Sequence, residues 1–469
     1  MRIILVNPPK LNFFRKLHFG LPPLGIAYLA AVLRRAGHHV SVADLDIAPE
    51  SAPDFRKYDL VGISADTIGY PAALAVAADA KEAGVPVLMG GYHVSFLDEQ
   101  ALRSGLVDYV IRGEAEEPVV QLASTMETRR PMEDVPSLSF LRDGELVRTP
   151  AGRPVEDLDG LPLPARDLLP LERYKVRFRG RRLASIITSR GCPFACSFCA
   201  SSRFAGVRWR ARSVASIADE VQQVRDEFGY RAFAFMDDNF TLDPRRVIDF
   251  ADEARRRDLD IIWWCFSRAD TIAGNEAMVR EMARAGCRQV FLGLESASEE
   301  ILDGYGKRLT VAQQRQALAI LRRNGIKVHG AFIVGHPADT RQTVMQTITQ
   351  ALRLGLYVAQ FSILTPYPGT PLFDEAVRDG RLLHTDWNLY DGLHAVMRGD
   401  HLAPGELQHL LLRAYRKFYL RPRQVVSEAW DAVRFRERIG VGMGRLIAFL
   451  GLRASLRSYL RRLGEVATT

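Results

Sequence analysis

The sequence predicts an α/β protein in two successive parts, a doubly wound Rossmann-like sheet and then a (β/α)6-type partial TIM barrel, closed by a helical C-terminal cap. Three observations predict it. Short β-branched runs alternate with helical stretches over residues 1–126, the alternation dissolves in a proline-punctuated segment, and it then resumes as six successive βα units. A chain of 469 residues is also too long for a single core.

In the first part, apolar runs predict strands over 2–6, 39–43, 59–64, 86–89 and 108–111, with Ala- and Leu-rich helices such as 24–35 and 71–82 between them. Right-handed crossovers make this a doubly wound unit whose ligand crevice lies beyond the carboxyl ends of the strands. Residues 127–180 read as a linker, broken by prolines from Pro131 to Pro170, with one strand over 137–141. The barrel occupies 181–375. Its strands are expected at 183–188, 232–236, 261–266, 289–294, 327–334 and 359–364, separated by amphipathic helices such as 214–228 and 311–324. Chemistry in such a barrel belongs at the carboxyl ends of the strands. Residues 376–469 carry helical pattern only.

Composition narrows the class. Hydrophobic residues at 47% and charged residues at 25% are those of a globular protein. The longest apolar run, 24–33, is ten residues, against the ~20 a bilayer requires. No signal peptide opens the chain, so cytoplasm is the expected compartment. The net charge of +8 is concentrated: from Leu411 onward 13 Arg and Lys face 4 Asp and Glu, leaving a near-neutral body. That distribution is unlike a nucleic-acid-binding domain. Arg453, Arg457 and Arg461 beside Leu452, Leu456 and Leu460 form a basic amphipathic stripe, suited to an anionic membrane surface or to docking on its own domain.

Of five cysteines, three fall within eight residues: Arg190-Gly-Cys192-Pro-Phe-Ala-Cys196-Ser-Phe-Cys199, directly after the first barrel strand. Three thiolates can hold three corners of an iron–sulfur cubane and leave the fourth iron open to chelate a substrate. Structural zinc takes four ligands, usually in two spaced pairs, and here Cys265 and Cys287 stand singly in or beside strands. The spacing therefore favours the cluster, and Cys265 and Cys287 read as packing residues.

These residues resemble the radical S-adenosylmethionine (SAM) superfamily, with Phe198 as the aromatic before the last cysteine. The resemblance extends through Met236-Asp237-Asp238-Asn239, Ser267-Arg268-Ala-Asp270, Gly293-Leu-Glu295-Ser296 and Pro366-Tyr-Pro-Gly-Thr370. It implies a 4Fe-4S cluster on Cys192, Cys196 and Cys199, and SAM contacts at Phe198, Asp237, Asp238, Arg268, Glu295 and Ser296. Capping or ion-pair roles are open to each polar residue. One departure is Gly335-His336-Pro337-Ala338-Asp339, where the family usually has Gly-x-Pro-Gly-Glu; His336 is read as facing substrate or solvent.

The branch it is similar to carries an N-terminal cobalamin domain. Asn7-Pro8-Pro9 and Pro22-Pro23-Leu-Gly25 fit its opening. Strand-end residues Ser64, Asp66, Thr67, Gly90, Gly91, His93 and Glu114 are then the implied cobalamin contacts. No Asp-x-His-x-x-Gly signature is present, which implies a cobalt without a protein histidine on its lower face. The resemblance implies a C-methyltransferase in which one SAM methylates reduced cobalamin and a second yields a 5′-deoxyadenosyl radical. A small-molecule or lipid-like substrate and a flavodoxin or ferredoxin electron donor follow. The alternatives are an oxidative cyclase or ring-rearranging enzyme with the same cofactors, and a redox or cobalamin sensor. Methylthiolation is disfavoured because no cysteine precedes Cys192.

Overall fold

The structure, a computed structural model, describes residues 1–10, 20–434 and Tyr459. The front sheet begins with five parallel strands, β1 (Arg2–Asn7), β2 (His39–Asp44), β3 (Leu60–Ser64), β4 (Val87–Gly90) and β5 (Tyr109–Ile111). Their order is β2-β1-β3-β4-β5. The strand order reverses between β1 and β3, which opens a ligand crevice there. Ile3 to Val6 are all buried, as a strand covered on both faces requires. One face packs on helix Tyr70–Glu82, the other on helices Leu24–Arg35 and Glu116–Thr128.

Part of the segment expected to be linker belongs to this sheet. The strand expected over 137–141 forms as β6 (Leu138–Arg142) and turns into β7 (Glu145–Arg148). This hairpin adds to β5 in antiparallel register. Buried Asp98 fixes it, accepting from Ser139 Oγ at 2.6 Å and from Arg148 at 2.8 Å. The sequence hid β7 because Glu145–Arg148 lies on an edge and buries little. Farther along, Arg166 is 4% exposed, donates to the Ser185 carbonyl at 2.7 Å and pairs with Glu220 at 2.8 Å, so the connection is anchored on the barrel.

The second sheet starts with a short edge strand, β8 (Arg177–Phe178), antiparallel to β9 (Arg181–Ile186). After a two-residue ribbon, β10 (Ser189–Arg190) with β11 (Arg210–Ala211), come β12 (Ala232–Phe235), β13 (Ile262–Arg268), β14 (Cys287–Glu295), β15 (Lys327–Val334) and β16 (Val358–Ile363). From β9 to β16 the barrel strands run parallel in sequence order. Helices cover the outer face and share with it the largest core. Several of their starts are capped by side chains. Ser213 and Asp243 accept from first-turn amides, and Thr310 opens Val311–Arg323 with a capping box. Helix Pro404–Tyr419 closes the β16 edge, Tyr415 and Tyr419 donating to the Phe361 and Ala359 carbonyls at 2.8 Å. Among the described residues no helix is long and apolar enough to cross a membrane. The basic stripe over 452–461 lies outside the described residues.

Candidate active site

The cysteine loop leaves the barrel at the carboxyl end of β9. Gly191 takes φ +83°, and a Cβ there would meet the Gly206 carbonyl at 2.9 Å, so the turn needs glycine. Beyond it the loop is pinned from three sides: Cys192 N–H donates to Gly206, Ser197 N–H to Tyr305, and Leu372 N–H to Ser197. The Arg268 guanidinium lies 3.7 Å from the Phe194 ring centre, and Phe198 meets Tyr305 edge-on at 5.1 Å. All three thiols are half-buried. Burial first, then nearby Asp238 and the neighbouring thiols, push Cys192 and Cys199 up from the ordinary thiol range. A bound cation reverses that logic and holds the thiolates, so the donor set fits an iron–sulfur cluster. A zinc centre would need further ligands. Cys265 and Cys287 are wholly buried in the barrel wall, and among the described residues no three His, Cys, Asp or Glu converge tightly enough for a single ion.

The polar residues at the strand ends divide. Asp238 opens onto the cavity beneath the loop. Solvent reaches it through the mouth, but the surrounding wall, with Asp237 adding, holds its carboxyl above the usual range. Asp237 is instead 1% exposed and fully engaged, accepting from Thr188 N and Ser189 Oγ at 2.6 Å and from Arg246 at 3.5 Å. It ties β12 to the cysteine loop. Arg268 pairs with Asp270 at 2.7 Å and donates to the Lys307 carbonyl. Glu295 adopts φ +59° and pairs, not with Arg268, but with buried Lys307. Gly293 leaves the space for this pair, since a Cβ would lie 2.6 Å from Lys307 Nζ. Ser296 is buried, accepting from Ser298 N–H at 3.1 Å. His336 is not a surface residue: it is half-buried, edge-on to Tyr305 at 5.1 Å, and burial depresses its pKa.

Across from the loop, the front crevice and the barrel share a cavity of about 340 Å³. Ser64, Gly90, Gly91 and Glu114 line it, together with Leu5, Ile26 and Leu29. The glycines make a low wall: Gly91 sits at φ +109° with Ala65 backbone 2.7 Å from where a Cβ would stand. A flat, largely apolar ligand fits such a cradle, as a corrin requires. Three expected contacts do not line the cavity. Asp66 accepts from Gly69 N–H at 2.6 Å, Thr67 is buried beside it, and His93 is fully buried between Tyr70 and Trp387, at 4.1 and 4.8 Å. Neither His93 ring nitrogen makes a hydrogen bond, and burial takes its pKa down to about 4.

Several wall residues escaped sequence reading. Tyr92 stacks on Phe204 at 4.2 Å across the two sheets' units. Arg190 pairs with Glu116 at 2.6 Å and Arg210 with Glu114 at 2.6 Å, so the residue before the cysteine loop is bolted to the front sheet. Only the position of Tyr92, beside the Gly90-Gly91 pair, gave a signal. The ion pairs span some 75 to 95 residues and gave none.

Comparison with known proteins agrees with this geometry. A family model described as the Radical SAM superfamily matches residues 186–351, and one described as a B12 binding domain matches residues 13–123. A Pyrococcus horikoshii protein named as an uncharacterized methyltransferase, PH0819, is 36% identical over 92% of this chain and 95% of its own. The anaerobic magnesium-protoporphyrin IX monomethyl ester cyclase of Cereibacter sphaeroides is 30% identical over 96% of this chain and 75% of its own. The radical SAM methyltransferase TsrM of Kitasatospora setae, solved with cobalamin and a 4Fe-4S cluster, shares the fold at TM-score 0.69 and 23% identity, covering 81% of this chain and 78% of that one. The chain therefore belongs to the radical SAM superfamily, in the branch whose members carry an N-terminal B12-binding domain.

Proposed function

We propose that the chain is a cobalamin-dependent radical SAM methyltransferase that methylates an unactivated carbon of a small molecule. One observation carries the reading: a single cavity has glycine strand ends of the front sheet on one wall and Arg190, Gly191 and Asp238 of the cysteine-loop side on the other. When bound, the cluster with SAM supplies a carbon-centred radical and the corrin supplies the methyl group. The chain's part is to hold these groups face to face and dry, since a radical reacts with whatever lies nearest. Cys192, Cys196 and Cys199 hold the cluster. Asp238 is the acceptor offered to the SAM amine, while Asp237, Arg268, Glu295 and Ser296 brace the strand ends around it. Ser64, Gly90 and Gly91 approach the corrin. Glu114 carries the junction.

In domain terms, 1–126 form the cobalamin unit with the 138–148 hairpin on its sheet, 181–375 the radical unit and 376–469 the cap. A flavodoxin or ferredoxin donor, a cytoplasmic setting and membrane contact through the basic tail belong to the same reading. The test is product analysis on anaerobically reconstituted, corrin-loaded enzyme supplied with reductant and candidate substrates. S-adenosylhomocysteine formed together with 5′-deoxyadenosine is expected. Deoxyadenosine alone, with an oxidised or rearranged product, would transfer the chain to the cyclase side of the branch.

A further inference from the structure

Helix Pro422–Arg434 follows the helix that closes the β16 edge and rests on the barrel through its first turn. Gln424 is buried there and donates to the Tyr357 carbonyl at 2.9 Å. Arg421 donates to the Leu352 carbonyl at 3.0 Å and lies 3.9 Å from the Phe418 ring centre. Val426, Trp430 and Val433 recur at steps of four and three, which lines them along one face, roughly opposite Gln424. They are 68%, 67% and 74% exposed. Leu420 and Val425, near the junction of the two helices, are also exposed. The charge beside this face has one sign. Arg416 and Lys417, in the last turn before Leu420, are exposed and have no acidic partner among the described residues. Residues 411–434 hold 6 Arg and Lys against 2 Asp and Glu.

Length, area and charge select the occupant. The helix has 13 residues, too few to cross a bilayer, which takes ~20, but enough to lie in the plane of one. The three stripe residues together expose on the order of 400 Å², against roughly 800 Å² per partner in a stable protein interface. A second copy of the chain, or another protein, gains too little from such a stripe. A lipid surface sets no such threshold. The indole settles at the level of the headgroups, the valines reach the acyl boundary, and the cations meet anionic headgroups. Tyr357, which receives Gln424, directly precedes β16. The helix therefore sits at the amino ends of the barrel strands, the end away from the cysteine loop.

We infer that Val426, Trp430 and Val433 form a docking face for an anionic phospholipid surface, with Arg416 and Lys417 supplying its electrostatic part. Docked in this way, the barrel keeps its cysteine-loop end turned from the lipid. This face is separate from the basic stripe over 452–461 and independent of the reaction proposed above. Full-length, cofactor-loaded enzyme is sedimented with vesicles of phosphatidylcholine alone or mixed with phosphatidylglycerol. Binding to the mixed vesicles only is expected, and added salt weakens it. Trp430→Ser, at an exposed position that folding does not depend on, weakens it by about tenfold with the melting temperature unchanged, and Trp430→Phe recovers most of the loss. Arg416→Gln combined with Lys417→Gln weakens it by about tenfold as well. Brominated acyl chains quench tryptophan fluorescence in the wild type and not in Trp430→Ser. Failure to bind the mixed vesicles, or binding and quenching that Trp430→Ser leaves unchanged, overturns the assignment. So does a wild-type dimer that Trp430→Ser dissociates, which gives the face to a second copy. No product is measured, so loss of the methyl-transfer reading leaves the docking result standing.

Discussion

His93 shows how much a single buried side chain can govern. Above about pH 6.5 it is neutral in both folded and unfolded chains and contributes no pH dependence. Its folded pKa near 4 lies below the ordinary value because burial between Tyr70 and Trp387 removes its water. Between those two pH values the unfolded chain takes up a proton that the folded chain refuses. Stability should therefore fall on acidification by about 3 kcal/mol over that window. Urea midpoints at pH 7 and pH 5 should separate clearly in the wild type and by less in His93→Phe, which keeps the ring packing and removes the titration. Equal separations in the two proteins would contradict the assignment. Glu295 makes a related point through its backbone: a non-glycine residue at φ +59° is held there by its buried partner Lys307 and by the bulge between β14 and β15.

At the level of elements, the cysteine loop depends on backbone it touches rather than on its cysteines alone. Gly191→Ala drives a Cβ against the Arg208 and Gly206 carbonyls at a left-handed φ, a strain of about 1–3 kcal/mol. The loop should shift, and reconstituted iron and sulfide per chain should drop to about half or less, read by iron assay and visible absorbance. Gly206→Ala is the informative contrast. Its φ is +85°, but a Cβ there meets open space, so its cluster content should stay nearer the wild type. The same reasoning explains the hairpin β6–β7. Its sequence says little, but Asp98 gathers Ser139 and Arg148 and so fixes two strands that lack apolar alternation.

Across the whole molecule, two ion pairs decide how the front sheet faces the barrel. Glu114 accepts from Arg210 and from Val155 N–H, with Arg190 at 3.7 Å, and both acid and Arg210 are nearly sealed from water. Glu114→Gln leaves a buried guanidinium without its counter-charge, which costs about 3–5 kcal/mol. Lower melting temperature, faster proteolysis within 149–180 and weaker corrin retention should follow together. Glu156→Gln breaks the exposed pair with Arg208 and should change melting little, since such pairs are worth about 1 kcal/mol or less. If both variants melt alike, the junction is not held as described.

Much of this molecule is written locally. Apolar periodicity located the parallel strands of both sheets and the helices Leu24–Arg35 and Val214–Phe228, because burial on a 2.0 or 3.6 repeat is a property of neighbours along the chain. The spacing of Cys192, Cys196 and Cys199 likewise pointed to a cluster loop, since all three candidate ligands lie in one short segment. What sequence could not assign was which polar side chains remain free to meet a ligand. Asp237 and Asp238 are adjacent, yet the first is consumed by Thr188, Ser189 and Arg246 and the second faces the cavity. Lys307 claims Glu295, and Arg190 and Arg210 claim the front-sheet acids. Those outcomes depend on partners brought together only when the two sheets close on each other, and a hydrogen bond already made inside the protein is not available to a cofactor.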